Sequence, residues 1–350
     1  MRSFRIPTLV LCMHLLVLAS FGQQPSQPPI TPPSQQPAIS TAAPTAPVAE
    51  QIRKTVAFLM VAVGNDPAAL SGVIDLGALK GFVGTCFFVY VPDSRIGEGG
   101  GFMYLVTNRH VAQPGIEQGT PYQVQGTFLR MNLATPQGGI QSVVEPIRPD
   151  QMHWFFPSDD AVDLAVTPLL PDQARYAYMS IPSTLIVTAE QLKTGDVGVT
   201  DPITFAGFFS NFPGRVRMEP IVREGVIAML PEEKLDTTLH KQGRLFLADI
   251  HAFHGNSGSP VFVNIGGVHH GTISGGERYL LLGVLSGYYP ESVGFSVPAA
   301  TVLTGEVRDN SGIATVVPGE ELANLLNSPD VQADRDRQFK LINHEAINQK

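Results

Sequence analysis

Ser257 stands in the segment His254-Gly255-Asn256-Ser257-Gly258-Ser259-Pro260. Its glycines permit a sharp turn and let main-chain amides approach a carbonyl group with no side chain in the way. A hydroxyl held in such a turn is a candidate nucleophile. It attacks an acyl carbon only if a base takes its proton, an anion orients that base, and donors receive the charge that develops on oxygen. His110, in Tyr104-Leu105-Val106-Thr107-Asn108-Arg109-His110-Val111-Ala112, follows an apolar run and is placed to be the base. Asp163 heads the apolar stretch Asp163-Leu164-Ala165-Val166, where a core can hold its carboxylate away from water, whereas Asp159 and Asp160 read as turn residues. Taken singly, each segment also has a plain structural reading: a solvated histidine after a strand, an aspartate that caps a turn, a Gly/Ser hairpin loop.

The elements that must carry these groups read as strands. The chain of 350 residues holds 34 Gly and 29 Pro, and only 15% of it is charged, which suits short strands and many turns. Strand candidates are Thr55 to Val63, Gly84 to Val91, Phe102 to Thr107, Gln123 to Asn132, Asp163 to Val166, Thr204 to Phe208, Val222 to Met229, Leu245 to Asp249, Pro260 to Ile265, Tyr279 to Ser286 and Val293 to Pro298. Helical periodicity is scarce. Its best case is Pro318-Gly319-Glu320-Glu321 leading into Leu322, Leu325 and Leu326, with acidic residues in the first turn.

Thr-Asn-Arg-His110-Val, Asp163-Leu-Ala-Val and Gly-Asn-Ser257-Gly-Ser-Pro, in that order, resemble the chymotrypsin-like (trypsin-like) serine proteases. The likeness is to the disulfide-poor bacterial branch that includes glutamyl endopeptidases and Deg-type proteases, and it covers roughly residues 55 to 326. It implies an all-β fold of two packed six-stranded β-barrels with a short C-terminal helix. It also implies an endopeptidase that works through a Ser257-His110-Asp163 triad and an acyl-enzyme. The amides of Gly255 and Ser257 would form the oxyanion hole, and the strand Gly283-Val284-Leu285-Ser286-Gly287 would pair with extended substrate, making Leu285, Ser286 and Gly287 substrate-binding. Gly294 to Pro298 would line the far wall of the specificity pocket, and His251 falls near its floor, where it could favour an acidic or polar side chain, although a partly buried core or loop histidine is the plainer reading. Two departures from the family's patterns matter. Asn256 stands where zymogen-type enzymes have Asp, so activation by a freed N-terminus is not expected, and Leu285 stands where glutamyl endopeptidases have His, so their preference is not carried over. A catalytically idle barrel that binds peptide or cell-wall ligands is the alternative from another class, and an esterase is a third.

The domain plan starts with Arg2 and Arg5, the apolar run Leu9 to Phe21 and small residues to Gly22, which is a signal-peptide layout over 1–22 and too short an apolar run to span a bilayer. A flexible Pro-rich linker over 23–48, a protease domain over 49–327 and a polar tail over 328–350 complete the plan; the tail reads as a frayed helix or disordered and is too short for a peptide-binding domain. The expected location is exported, periplasmic or extracellular, with no stable membrane insertion after signal cleavage. Of Cys12 and Cys86, the first leaves with the signal, so no intrachain disulfide is expected and Cys86 reads as a buried small hydrophobe. A net charge of -8 with no Lys/Arg stripe argues against nucleic acid as a partner. Protein or peptide substrates are expected, and no cofactor. His269-His270 reads as a solvated hairpin with no carboxylate or Cys at ligand spacing, so no metal is expected.

Overall fold

The computed structural model describes residues 47–63, 81–147, 152–269, 272–273, 276–297 and 303–348. The expected signal peptide, nearly all of the linker, Pro298 and His270 lie outside them. In chain order the elements are α1 (Val48–Thr55), β1 (Val56–Val63), β2 (Gly81–Pro92), β3 (Gly101–Thr107), α2 (Arg109–Ala112), β4 (Val124–Gln137), β5 (Ile140–Ile147), β6 (Ala165–Pro168), β7 (Ser180–Pro182) and α3 (Ala189–Thr194). They continue with β8 (Pro202–Gly207), β9 (Ile221–Met229), β10 (Leu235–Asp236), β11 (Gln242–Gly243), β12 (Phe246–Asp249), β13 (Pro260–Asn264), β14 (Val268–His269), β15 (Thr272–Ile273), β16 (Tyr279–Val297), β17 (Leu303–Pro318), α4 (Gly319–Leu326) and α5 (Pro329–Asn348).

The all-β expectation holds. Backbone pairing gathers β5-β4-β1-β2-β3-β6, with β7 beside β2, into a seven-stranded sheet, and closes β12-β17-β16-β13-β8-β9 into a six-stranded barrel. Because side chains alternate along a strand, one strand feeds two apolar layers. On β2, Cys86, Phe88 and Tyr90 join Leu59, Leu105 and Met131 in a core of the first unit, while Phe87 and Val89 point the other way. On β13, Val261 and Val263 fill the barrel, while Phe262 faces out. Phe87, Val89, Tyr104 and Val106 meet Phe262, Leu281, Val284 and Val317 in the layer between the two units. Full burial of each such side chain favours the folded state by about 1.5–3 kcal/mol, so the middle layer binds the units firmly together.

Leu322, Leu325 and Leu326 of α4 dock on that middle layer, as their spacing predicts. The stretch after it is a twenty-residue helix, α5, whose Val331 is fully buried and whose Arg335 donates to the Leu326 carbonyl at 2.7 Å. Arg95 of the first unit pairs with Asp336 at 2.7 Å and covers the Phe339 ring. Cys86 is wholly buried, its Sγ donates to the Ala57 carbonyl at 3.4 Å, and burial raises the thiol pKa strongly. His269 corrects the sequence reading: its Nε2 lies 3.0 Å from Asp201 Oδ1, so it braces a barrel loop instead of facing water alone. No described helix is long and apolar enough to cross a membrane.

Candidate active site

The loop before β13 is fixed from both sides. Thr85, a threonine on the otherwise apolar β2, donates its amide to the Ser257 carbonyl at 2.8 Å and its hydroxyl to the Gly255 carbonyl at 2.8 Å. The same hydroxyl accepts from the Phe208 amide at 2.8 Å, and the Thr85 carbonyl accepts from the Thr107 hydroxyl at 2.8 Å. From the barrel side, Gly258 donates to the Leu285 carbonyl and Leu285 donates to the Ser259 carbonyl. Two glycines are required here. Gly255 has φ +93 and a Cβ there would fall 2.4 Å from the Phe208 ring; Gly258 has φ +87 and a Cβ there would fall 2.0 Å from the Thr85 carbonyl. A left-handed backbone and a neighbour this close together admit no side chain.

Inside the loop the amides of Phe253, Asn256, Gly258 and Ser259 all have acceptors. Among the described residues no acceptor takes the amides of Gly255 or Ser257. Two main-chain donors are thus left for something else. Asn256 is fully buried; its Nδ2 donates to the Phe208 carbonyl at 2.6 Å and its Oδ1 accepts from the Phe253 amide at 2.8 Å. An aspartate here would set a buried carboxylate against a carbonyl oxygen. Asn256→Asp is expected to lose on the order of 3 kcal/mol at neutral pH. Burial raises the folded-state pKa of that new carboxyl, so its penalty should shrink as pH falls toward the unfolded value near 4, where a protonated Asp can donate to Phe208. Thermal melts of both proteins across pH 4–8 check this; a gap that widens in acid refutes it.

His110 sits on the short α2, immediately after β3, and Asp163 precedes β6, the strand that pairs with β3. The pairing puts them side by side. Asp163, with none of its surface exposed, accepts three bonds: the His110 amide to Oδ1 at 3.0 Å, His110 Nδ1 to Oδ2 at 2.7 Å, and the Ser286 hydroxyl to Oδ2 at 2.6 Å. Asn108 Nδ2 donates to the Asp163 carbonyl at 2.8 Å and fixes its backbone. Burial alone would raise the Asp163 pKa, but the His110 charge and these donors outweigh it and hold the carboxyl below its usual range. Burial alone would lower the His110 pKa, and the Asp163 charge and hydrogen bond outweigh that and raise it. With a carboxylate as acceptor, Nδ1 carries the proton and Nε2 is the free lone pair.

Ser257 reaches this pair through Ser286. The Ser257 hydroxyl donates to the Ser286 carbonyl at 2.9 Å, and the Ser286 hydroxyl is the one on Asp163. A run of bonds therefore leads from Ser257 through Ser286 to Asp163 and on to His110, with the Ser257 proton on the Ser286 carbonyl in this conformer. Ser286 also contacts the Thr238 hydroxyl at 2.8 Å, so its own hydroxyl is held by two neighbours. Sequence reasoning placed Ser286 only on the substrate side; a lone buried serine in an apolar strand was the available signal for its inward role.

Leu285 requires a correction. It is 1% exposed with its side chain in the barrel core, and both its peptide groups bond to the Ser257 loop, so it supports that loop and does not face a groove. Gly287 lies on β16 opposite Thr315. β13 ends at Pro260 opposite Val284, so residues 286–288 carry β17 on one edge and no described strand on the other. His251 is exposed, and its ring lies 3.6 Å from the space a Cβ on Gly312 would fill. The side chains of 295–297 and the position of Pro298 lie outside the described residues, so the expected far wall does too. No described group of three or more His, Cys, Asp or Glu residues is placed to hold a metal ion.

The family model described as a trypsin-like peptidase domain matches residues 84–268, a span that contains His110, Asp163 and Ser257. No curated protein matches the chain. Among solved structures the chain is similar to Deg5, with 16% identity over 68% of this chain and 81% of that one and a TM-score of 0.38. It is similar to the HtrA-type protease AlgW with a decapeptide, with 16% identity over 79% of this chain and 65% of that one and a TM-score of 0.39. It is also similar to the inactive form of a serine-to-alanine mutant of Rv3671c from M. tuberculosis H37Rv, with 14% identity over 83% of this chain and 96% of that one and a TM-score of 0.39.

Proposed function

Since this chain belongs to the trypsin-like peptidase family, we propose that it is an exported serine endopeptidase that cleaves protein or peptide substrates with Ser257, His110 and Asp163. The observation that carries the reading is the run of hydrogen bonds from the Ser257 hydroxyl through Ser286 to the buried Asp163 carboxylate and the His110 imidazole, beside two unused amides. In the proposed reaction the Ser257 hydroxyl turns from the Ser286 carbonyl to His110 Nε2, gives up its proton there and attacks the peptide carbonyl. The Gly255 and Ser257 amides receive the oxyanion, His110 returns the proton to the leaving amine, and water completes the cycle by the same route. Asp163 keeps Nδ1 protonated and balances the imidazolium. An extended substrate adds as a strand at the open edge of residues 286–288, which brings its carbonyl to Ser257. His251, exposed beside Gly312, is the residue proposed to read the substrate side chain. The basic and apolar start of the chain supports export to the periplasm or beyond.

A fluorophosphonate probe tests this directly, because it labels only an activated serine. Labelling should map to Ser257 and quicken with pH as His110 loses its proton. Because Asp163 raises the His110 pKa, the half-maximal point should fall above the ordinary value of about 6.5. No labelling of the native protein would instead support the idle, peptide-binding barrel, and a flat pH profile would remove His110 as the base.

A further inference from the structure

We propose that Arg130 and Asn132, on β4 and outside every motif segment, are positioning residues that hold the oxyanion donors in place through the 208–220 loop. The inference rests on the proposed roles of Ser257 and the Gly255 and Ser257 amides. Arg130 is 6% exposed, and its guanidinium donates to neutral oxygens: the Pro213 carbonyl at 2.9 Å, the Gly214 carbonyl at 2.7 Å and the Ser142 hydroxyl at 3.0 Å. A buried cation with such partners ties down whatever supplies them, because letting go leaves it desolvated and unsatisfied. Two residues along, the Asn132 amide clasps one residue's backbone on both sides: Nδ2 donates to the Met218 carbonyl at 3.0 Å and Oδ1 accepts from the Met218 amide at 2.8 Å. The Ser142 hydroxyl adds a bond to the Val216 carbonyl at 3.2 Å. The loop connecting β8 to β9 is therefore bolted to the first sheet, although Phe212 and Val216 at its tip stand 52% and 53% exposed.

The held residue leads to the site in two steps. Met218, Phe208 and Phe58 form an apolar cluster separate from the three large cores, with the Phe58 and Phe208 rings edge to face at 4.6 Å. Phe208 in turn presses its ring against Gly255, takes the Asn256 amide on its carbonyl and gives its own amide to Thr85. A loop that drifts from β4 lets Met218 and then Phe208 move, and the Gly255 amide loses the wall behind it. The transition state feels this more than the bound substrate does, since the oxyanion forms only in the transition state.

The test is Arg130→Ala, assayed by peptide kinetics and by inhibition with a peptide boronate that mimics the tetrahedral oxyanion. Expected are a kcat about ten- to hundredfold lower, KM within about threefold, and a boronate inhibition constant that rises by about the factor by which kcat falls. A folded variant whose kcat stays within about twofold, or whose loss lies in KM alone, overturns the proposal. Should Arg130→Ala fail to fold, Asn132→Ala is judged by the same criteria, since it removes only the two Met218 bonds from a half-buried side chain. Failure of the wild-type protein to label with a fluorophosphonate is a separate outcome, and it removes the underlying function instead.

Discussion

Ser257→Ala is expected to lower kcat by about 10⁵- to 10⁶-fold while leaving the fold in place. The loss is that large because no other group takes over a bond-forming role. His110 has no hydroxyl left to deprotonate. The fold survives because the Ser257 hydroxyl makes one hydrogen bond, to the Ser286 carbonyl. The loop itself is held by main-chain bonds to Thr85 and Leu285 and by Asn256, none of which the substitution touches. Turnover of a peptide pool by purified wild-type and variant protein, with melting curves beside it, makes the comparison. Hydrolysis above about 1% of wild type with an unchanged melting temperature would assign the nucleophile elsewhere.

Asp163→Asn is expected to lower kcat by about 10⁴-fold. The carboxylate accepts three bonds, and an amide keeps one acceptor oxygen while turning the other position into a donor. Facing His110 with a donor forces the ring proton onto Nε2, so the lone pair that should receive the Ser257 proton is gone. The variant also loses the negative charge that raises the His110 pKa, so the rising limb of its residual activity should move to lower pH than in wild type. Kinetics of the purified variant from pH 5 to 9 report both effects. A kcat within about tenfold of wild type, or an unmoved limb, contradicts the role given to Asp163.

The motif loops were legible because their demands are local. Gly255, Gly258 and the hydroxyl between them specify a turn whatever surrounds it, and apolar β-branched runs such as Val56–Val63 specify strands. What stayed hidden was set by distant partners. Leu285 is the clearest instance. Once Ser286 points toward Asp163, alternation sends the Leu285 side chain into the barrel, and the main-chain groups expected to pair with substrate are instead taken by Gly258 and Ser259. β17 was passed over because its first half, Leu303 to Asn310, is polar and gains its order by pairing with β16. α5 was left between a frayed helix and a disordered tail because it carries charge all round. Its buried stripe of Val331, Arg335 and Phe339 has helical spacing, but an arginine in the middle disguises an apolar face. Thr85 and Arg130 belong to the same class, polar residues in strands whose purpose is visible only when the loops they hold arrive from the far end of the chain.

Thr85 has all of its polar groups committed across the boundary between the two halves or beside it. The working geometry is thus a property of the joint and of neither part. A small slip between the halves, too slight to wet the apolar layer, would already pull the Gly255 and Ser257 carbonyls off their anchor. For the proposed peptidase, heat, denaturant or a poorly matched graft from a relative is therefore expected to cost activity at this boundary before the apolar layer opens.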